Sequence, residues 1–142
     1  MKIRRRGTAT WDGTVPAGSG SMAGNSGALD VPFSLESRVA ETPQSSPEEL
    51  IGAAHAGCFS MSLANLIEQA GLTPARVETM AAVTLEQQDA GFAITTIKLT
   101  TKASADGLDA TKLDELAEQA KATCPVSKAL AGTSISLEAT VI

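Results

Sequence analysis

Ser46-Pro47-Glu48-Glu49 is a complete helix-start signal, and the stretch that follows it is almost free of charge. Ser46 can act as the N-cap, and Pro47 suits the first helical position, where its missing N–H is not needed. Glu49 falls at the third position, where a capping box with Ser46 is expected. The pattern predicts a helix to about Ala70, stopped by Gly71 with Pro74 just beyond. Residues 50–63 read Leu-Ile-Gly-Ala-Ala-His-Ala-Gly-Cys-Phe-Ser-Met-Ser-Leu. A helix that is apolar all round is buried on all sides. This one is therefore expected at the centre of the domain or at a subunit interface, with its Gly and Ala residues letting other elements come close.

The remaining segments fall around that helix. Residues 1–11 alternate loosely and end in a turn at Trp11-Asp12-Gly13, and residues 14–30 can supply a second strand. Residues 31–39 read as a further strand, with Phe33, Leu35, Ser37 and Val39 on one face and Ser34, Glu36 and Arg38 on the other. Residues 76–87 and 91–102 read as two strands joined tightly at Asp89-Ala90-Gly91. Ile94 and Ile97 cannot share one face of the second strand, which predicts a bulge or burial on both faces. Asp109 can cap a helix through Thr123 that places Leu113, Leu116, Ala117 and Ala120 on one side. A short helix over 125–131 stops at Gly132. The last strand alternates, with Ile135, Leu137, Ala139 and Val141 inward. There is no internal repeat or linker, so residues 1–142 are expected to form one α+β domain.

Composition narrows the function. Hydrophobic residues at 43% and charged residues at 19% describe a globular chain. Aromatic residues are only 3%, too few for base-stacking platforms, and a net charge of −5 opposes phosphate-backbone binding. The basic run Lys2, Arg4, Arg5, Arg6 reads as a solvated strand end. No nucleic-acid partner is expected. No apolar stretch follows the basic start, and His55, Ser60, Ser62 and Asn65 interrupt the run over 50–67. The expectation is a soluble, cytoplasmic protein with no membrane contact. In that compartment two cysteines are more often reactive or simply buried than a permanent disulfide.

Cys58 lies in the middle of the apolar helix, where a packed core thiol is the bland explanation. Cys124 precedes Pro125 and so sits at the N-cap of the short helix, where unpaired N–H groups favour a thiolate. Their separation excludes a CxxC motif. His55 is one turn before Cys58 on the same face. A hydrogen-bonded core histidine, a base for the thiol, and a metal ligand with both cysteines are all open to it. Glu48 and Glu49 complement the helix dipole. With Glu49 engaged in the capping box, Glu48 is free, and Arg38 lies ten residues upstream. An Arg–Glu pair near a thiol would stabilise its thiolate and hold the guanidinium ready for an oxygen acceptor.

The segment Ser46-Pro-Glu-Glu-Leu-Ile-Gly-Ala-Ala-His-Ala-Gly-Cys-Phe-Ser-Met-Ser-Leu63 strongly resembles the OsmC branch of the OsmC/Ohr family. Gly91-Phe-Ala-Ile-Thr, Cys124-Pro-Val-Ser-Lys, and the opening Gly7 to Gly13 with Trp11 are similar to it too. The resemblance covers essentially the whole chain. It implies an intertwined homodimer, with antiparallel sheets around a buried central helix and active sites at the subunit interface. It implies that Cys58 attacks peroxide and that Cys124 resolves the product. The family's glutamate falls on Glu48, and Arg38 in Leu35-Glu-Ser-Arg38 matches the arginine of the OsmC branch.

The expected function is a thiol peroxidase that reduces organic hydroperoxides, and hydrogen peroxide less well. Cys58 would pass through a sulfenic acid to a Cys58–Cys124 disulfide, reopened by a small dithiol or thiol reductant. No cofactor or metal is required. One tension stands. By local physics Cys124 is the more acidic thiol, and a buried Cys58 needs a cation, assigned to Arg38. The competing readings are a ligand-binding or structural stress-response dimer with non-catalytic cysteines, and a metal site on His55, Cys58 and Cys124.

Overall fold

The computed structural model describes residues 1–142, and their contacts divide into two compact units, Met1–Leu50 and Ile51–Ile142. In the first unit, β1 (Gly7–Asp12), β2 (Ser19–Gly24) and β3 (Asp30–Phe33) form an antiparallel sheet in the order β1-β2-β3. Gly20 is the partner of both Trp11 and Phe33. A side chain there would collide with the Thr10 carbonyl and the Phe33 ring. Its absence lets the two rings meet across it, centroids 5.3 Å apart.

The expected strand over 31–39 stops at Phe33. Residues 36–39 instead form a helical turn, α1 (Glu36–Val39). The cause is local. Ser34 N–H donates to Ser37 Oγ (3.1 Å) while Ser37 N–H donates to Ser34 Oγ (3.2 Å). This reciprocal bond gives the backbone a better alternative than a sheet ladder. Arg38 therefore stands on a helical turn and not on a strand face.

The long helix α2 (Pro47–Gln69) starts and stops where the sequence places it. Glu49 N–H donates to Ser46 Oγ (3.1 Å), which is half of the expected capping box. The other half is not made, because the Glu49 carboxylate accepts from Ser45 Oγ (2.8 Å). At the far end Gly71 takes φ +83°, with Gly71 N–H bonded to Glu68 O and Leu72 N–H to Ile67 O. That is a Schellman stop, which glycine alone makes without strain. One chain buries only part of this helix. Gly52, His55, Phe59, Leu63, Leu66 and Ile67 are buried, whereas Ala53, Ala54, Gly57 and Met61 are exposed. The apolar circumference exceeds what one chain covers.

In the second unit, β4 (Pro74–Gln88) and β5 (Gly91–Ala105) form a long antiparallel hairpin. The phase conflict in β5 is resolved by a bulge. Thr84 pairs with Thr96 and Leu85 with Ile94, leaving Thr95 as the extra residue. Next come α3 (Ala110–Thr123), α4 (Pro125–Ala129) and β6 (Ser134–Val141). Asp109 caps α3 by accepting from Lys112 N–H (2.8 Å). The β6 strand pairs with β5 in parallel, so this sheet is mixed and not antiparallel throughout. The α3–α4 crossover is what permits it, since a tight turn can join only antiparallel neighbours. The core joins Phe59, Leu63 and Ile67 of α2 to Leu99 and Ala103 of β5 and to Leu113, Leu116, Ala117 and Ala120 of α3. By length and composition α2 could cross a membrane, but these residues make it a core helix.

Candidate active site

Cys58 and Cys124 are 66 residues apart in sequence and 3.1 Å apart at their sulfurs, both as free thiols in hydrogen-bond contact. Two features of the sequence bring them together. Phe59 and Leu63 anchor one face of α2 in the core, which turns Cys58 toward α3 and α4. Pro125 then forces the chain to leave α3 and re-enter a helix at Cys124, whose ψ of 123° is extended as a residue before proline prefers. Cys124 N–H still closes α3 on Ala120 O (2.8 Å), and its carbonyl opens α4 by accepting from Lys128 N–H (3.1 Å). One residue thus ends one helix and begins the next.

The two thiols are electrostatically unequal. Burial pushes Cys58 up, and the neighbouring Cys124 sulfur adds to that. Burial also acts to raise Cys124, which is fully buried, but its thiol is nevertheless held below the usual range. The Ser127 and Val126 amides, the Cys58 thiol and the Ser127 hydroxyl all turn positive ends toward it and outweigh burial. Unpaired N–H groups at the start of the short helix predict the same direction from sequence, without the side-chain contributions of Cys58 and Ser127.

His55 is fully buried and directs Nε2 to Ser127 Oγ at 2.7 Å. Its Nδ1 has no partner. Burial lowers its pKa, so the ring is neutral near pH 7. With Nε2 taken by Ser127, and no three His, Cys, Asp or Glu side chains grouped to hold an ion, the metal site on His55, Cys58 and Cys124 is not formed. Ser127 was not singled out from the sequence. The signal was available: it is the third residue of a helix capped by Cys124, the position whose N–H and side chain face the cap.

Within the first unit, Arg38 and Glu48 form an ion pair. Arg38 Nη2 donates to Glu48 Oε1 at 2.6 Å, and Nε reaches both carboxylate oxygens at 3.2 and 3.3 Å. Glu48 is 7% exposed. Its hydrogen bond raises the Arg38 pKa further, against the effect of burial. Arg38 also lines a cavity of about 200 Å³ with Trp11, Val15, Phe33, Ser34 and Leu35, a mostly apolar wall with one cation at its edge.

An α+β scaffold holding two reduced thiols in contact defines a dithiol protein by class. The chain belongs to the OsmC-like protein family, whose pattern matches residues 41–139. It is 44% identical to peroxiredoxin OsmC of Escherichia coli K12 over 131 residues, 92% of each chain. The crystal structure of an organic hydroperoxide resistance protein from Elizabethkingia anophelis superposes with a TM-score of 0.76 at 25% identity, covering 99% of this chain and 98% of that one. OhrB of Bacillus subtilis, at 24% identity and a TM-score of 0.72, covers 96% of this chain and 98% of its own and shares the fold.

Proposed function

We propose that the chain is a thiol-dependent peroxidase that reduces organic hydroperoxides, and hydrogen peroxide less well. The observation that carries this reading is the 3.1 Å approach of two free thiols, one on α2 and one at the junction of α3 and α4. The family, with its peroxiredoxin and hydroperoxide-resistance relatives, supports the same chemistry.

Cys58 is the attacking thiol because it is the partly exposed one, whereas Cys124 is sealed from solvent. Its thiolate attacks the terminal oxygen of the hydroperoxide. An S–O bond forms, the O–O bond breaks, and the alkoxide leaves with a proton as alcohol. Cys124 then attacks the Cys58 sulfenic acid. An S–S bond forms, the S–O bond breaks, and water leaves. A small dithiol or thiol reductant reopens the disulfide by exchange. Arg38, its guanidinium fixed by Glu48, is assigned to favour the Cys58 thiolate and orient the peroxide. The apolar cavity beside Arg38 suits an alkyl group. No cofactor enters this cycle.

The working form is a homodimer made of two single-domain chains, each spanning residues 1–142, in the cytoplasm. The uncovered apolar face of α2 at Ala53, Ala54, Gly57 and Met61 supports the dimer. The test is peroxide consumption with excess dithiol. Cys58→Ser should abolish it, and Cys124→Ser should leave a sulfenic acid on Cys58 that a dimedone probe traps. Undiminished turnover in Cys58→Ser would overturn the assignment, and the reading as a non-catalytic binding dimer would replace it.

A further inference from the structure

The peroxidase cycle gives no task to His55 or Ser127, yet both are buried where the two thiol-bearing elements meet. His55 is fully buried and Ser127 is 4% exposed, with Nε2 and Oγ 2.7 Å apart. Burying an imidazole and a hydroxyl costs free energy that a single hydrogen bond only partly recovers. Nδ1 of His55 has no partner at all. An apolar pair would fill the same space at less cost, but it would impose no fixed length or direction between the two elements.

Spacing couples this bond to the thiols. His55 lies one turn before Cys58 on α2, and Ser127 lies three residues after Cys124, the N-cap of α4. The two elements are therefore joined twice, at Cys58–Cys124 (3.1 Å) and at His55–Ser127 (2.7 Å). Residues 124–129 make no other side-chain hydrogen bond. With five residues, α4 is far too short to keep its place by helix formation alone. Pro125, Lys128 and Ala129 face solvent, and Val126 is only partly buried. Once Cys58 is oxidised to a sulfenic acid its thiol–thiol contact with Cys124 ends, and His55–Ser127 is the side-chain bond that remains.

We propose that His55 and Ser127 are positioning residues for disulfide closure: their hydrogen bond pins the first turn of α4 to α2 and so holds the Cys124 sulfur within reach of the oxidised Cys58 sulfur. The proposal deepens the peroxidase reading and rests on it for the oxidising step. In closure the Cys124 sulfur attacks the Cys58 sulfur, the S–S bond forms and the S–O bond breaks. The departing hydroxide leaves with the Cys124 proton as water. The sulfurs must close from 3.1 Å to about 2 Å. A misplacement of about 1 Å can slow such a step about a hundredfold, so the setting of α4 governs its rate.

The first test needs no peroxide. Full-length protein is equilibrated with reduced and oxidised dithiothreitol, and the Cys58–Cys124 disulfide is counted by mass spectrometry. Ser127→Ala and, separately, His55→Leu should each lower the equilibrium constant for disulfide formation about tenfold, a shift of about 30 mV toward a more oxidising couple. The double variant should lose no more than either single one, because the two side chains act as a unit. His55→Gln, which keeps an N–H donor near the position of Nε2, should restore most of the loss. In stopped-flow oxidation by an organic hydroperoxide, the single variants should close the disulfide about tenfold to a hundredfold more slowly, with sulfenic acid formation at its native rate. An unmoved equilibrium in either single variant, shown to be folded by circular dichroism, would overturn the pin, and so would losses that add in the double variant. Absence of any sulfenic acid in the native protein would overturn the peroxidase reading instead, and the dithiol equilibrium would still decide the pin.

Discussion

Arg38 and Glu48 carry the account at the residue scale. Glu48 is buried at the first turn of α2 and has no other cation, so its charge is tolerable only while the Arg38 guanidinium covers it. Arg38 itself is about one-third exposed on its side chain, which discounts the pair for solvent screening. Arg38→Ala is expected to cost about 1–2 kcal/mol in chemical denaturation, and to lower peroxidase rate at least tenfold without unfolding the protein. Arg38→Lys should recover stability more than rate, because a point charge lacks the guanidinium fork. Full activity in Arg38→Ala would remove it from the mechanism. Glu48 was legible through elimination, since Glu49 had a capping role. The premise was met in another way: the Glu49 carboxylate is engaged by Ser45 Oγ and not by the Ser46 N–H. Ser127 was harder to read, because its partner His55 lies 72 residues away and only the fold joins them.

At the scale of elements, α2 fixes the sulfur of Cys58 by how closely it lies on the sheet. The approach is set at Gly52, where a Cβ would stand 2.8 Å from the Ala81 carbonyl oxygen on β4. Backbone cannot yield there as a flexible side chain would. Gly52→Ala is therefore expected to destabilise by about 1–3 kcal/mol despite the better helix propensity of alanine, read from the denaturation midpoint. A stabilised variant would show that α2 has room to shift. The caps, the Schellman stop, the hairpin and the bulge in β5 could all be read from the sequence, because each depends on residues close in the chain. The end of β3 was misread because Ser34 and Ser37 bond each other's backbone, an option that side-chain alternation does not reveal. The parallel pairing of β6 was not legible either. It depends on where α3 and α4 return the chain, and strand patterning is the same for either direction.

For the whole molecule, the chain carries more apolar helix surface than it covers. Met61 is 77% exposed, and Ala53, Ala54 and Gly57 lie open with it on α2. Small residues on an exposed helix face permit close approach by a second chain, which supports the proposed homodimer. Met61→Glu should leave the fold of each chain intact and shift the protein from dimer to monomer in light scattering, because a carboxylate cannot be buried there unpaired. An unchanged mass would place the interface elsewhere. The sequence disclosed the apolar helix but not which part of it one chain would bury.

The most direct measurement counts free thiols by mass spectrometry before and after one equivalent of an organic hydroperoxide such as cumene hydroperoxide. Both thiols are expected to disappear together, a Cys58–Cys124 disulfide to take their place, and a dithiol to restore them. Two thiols still free after exposure would contradict the peroxidase reading, and the proximity of the sulfurs would then be a matter of packing alone.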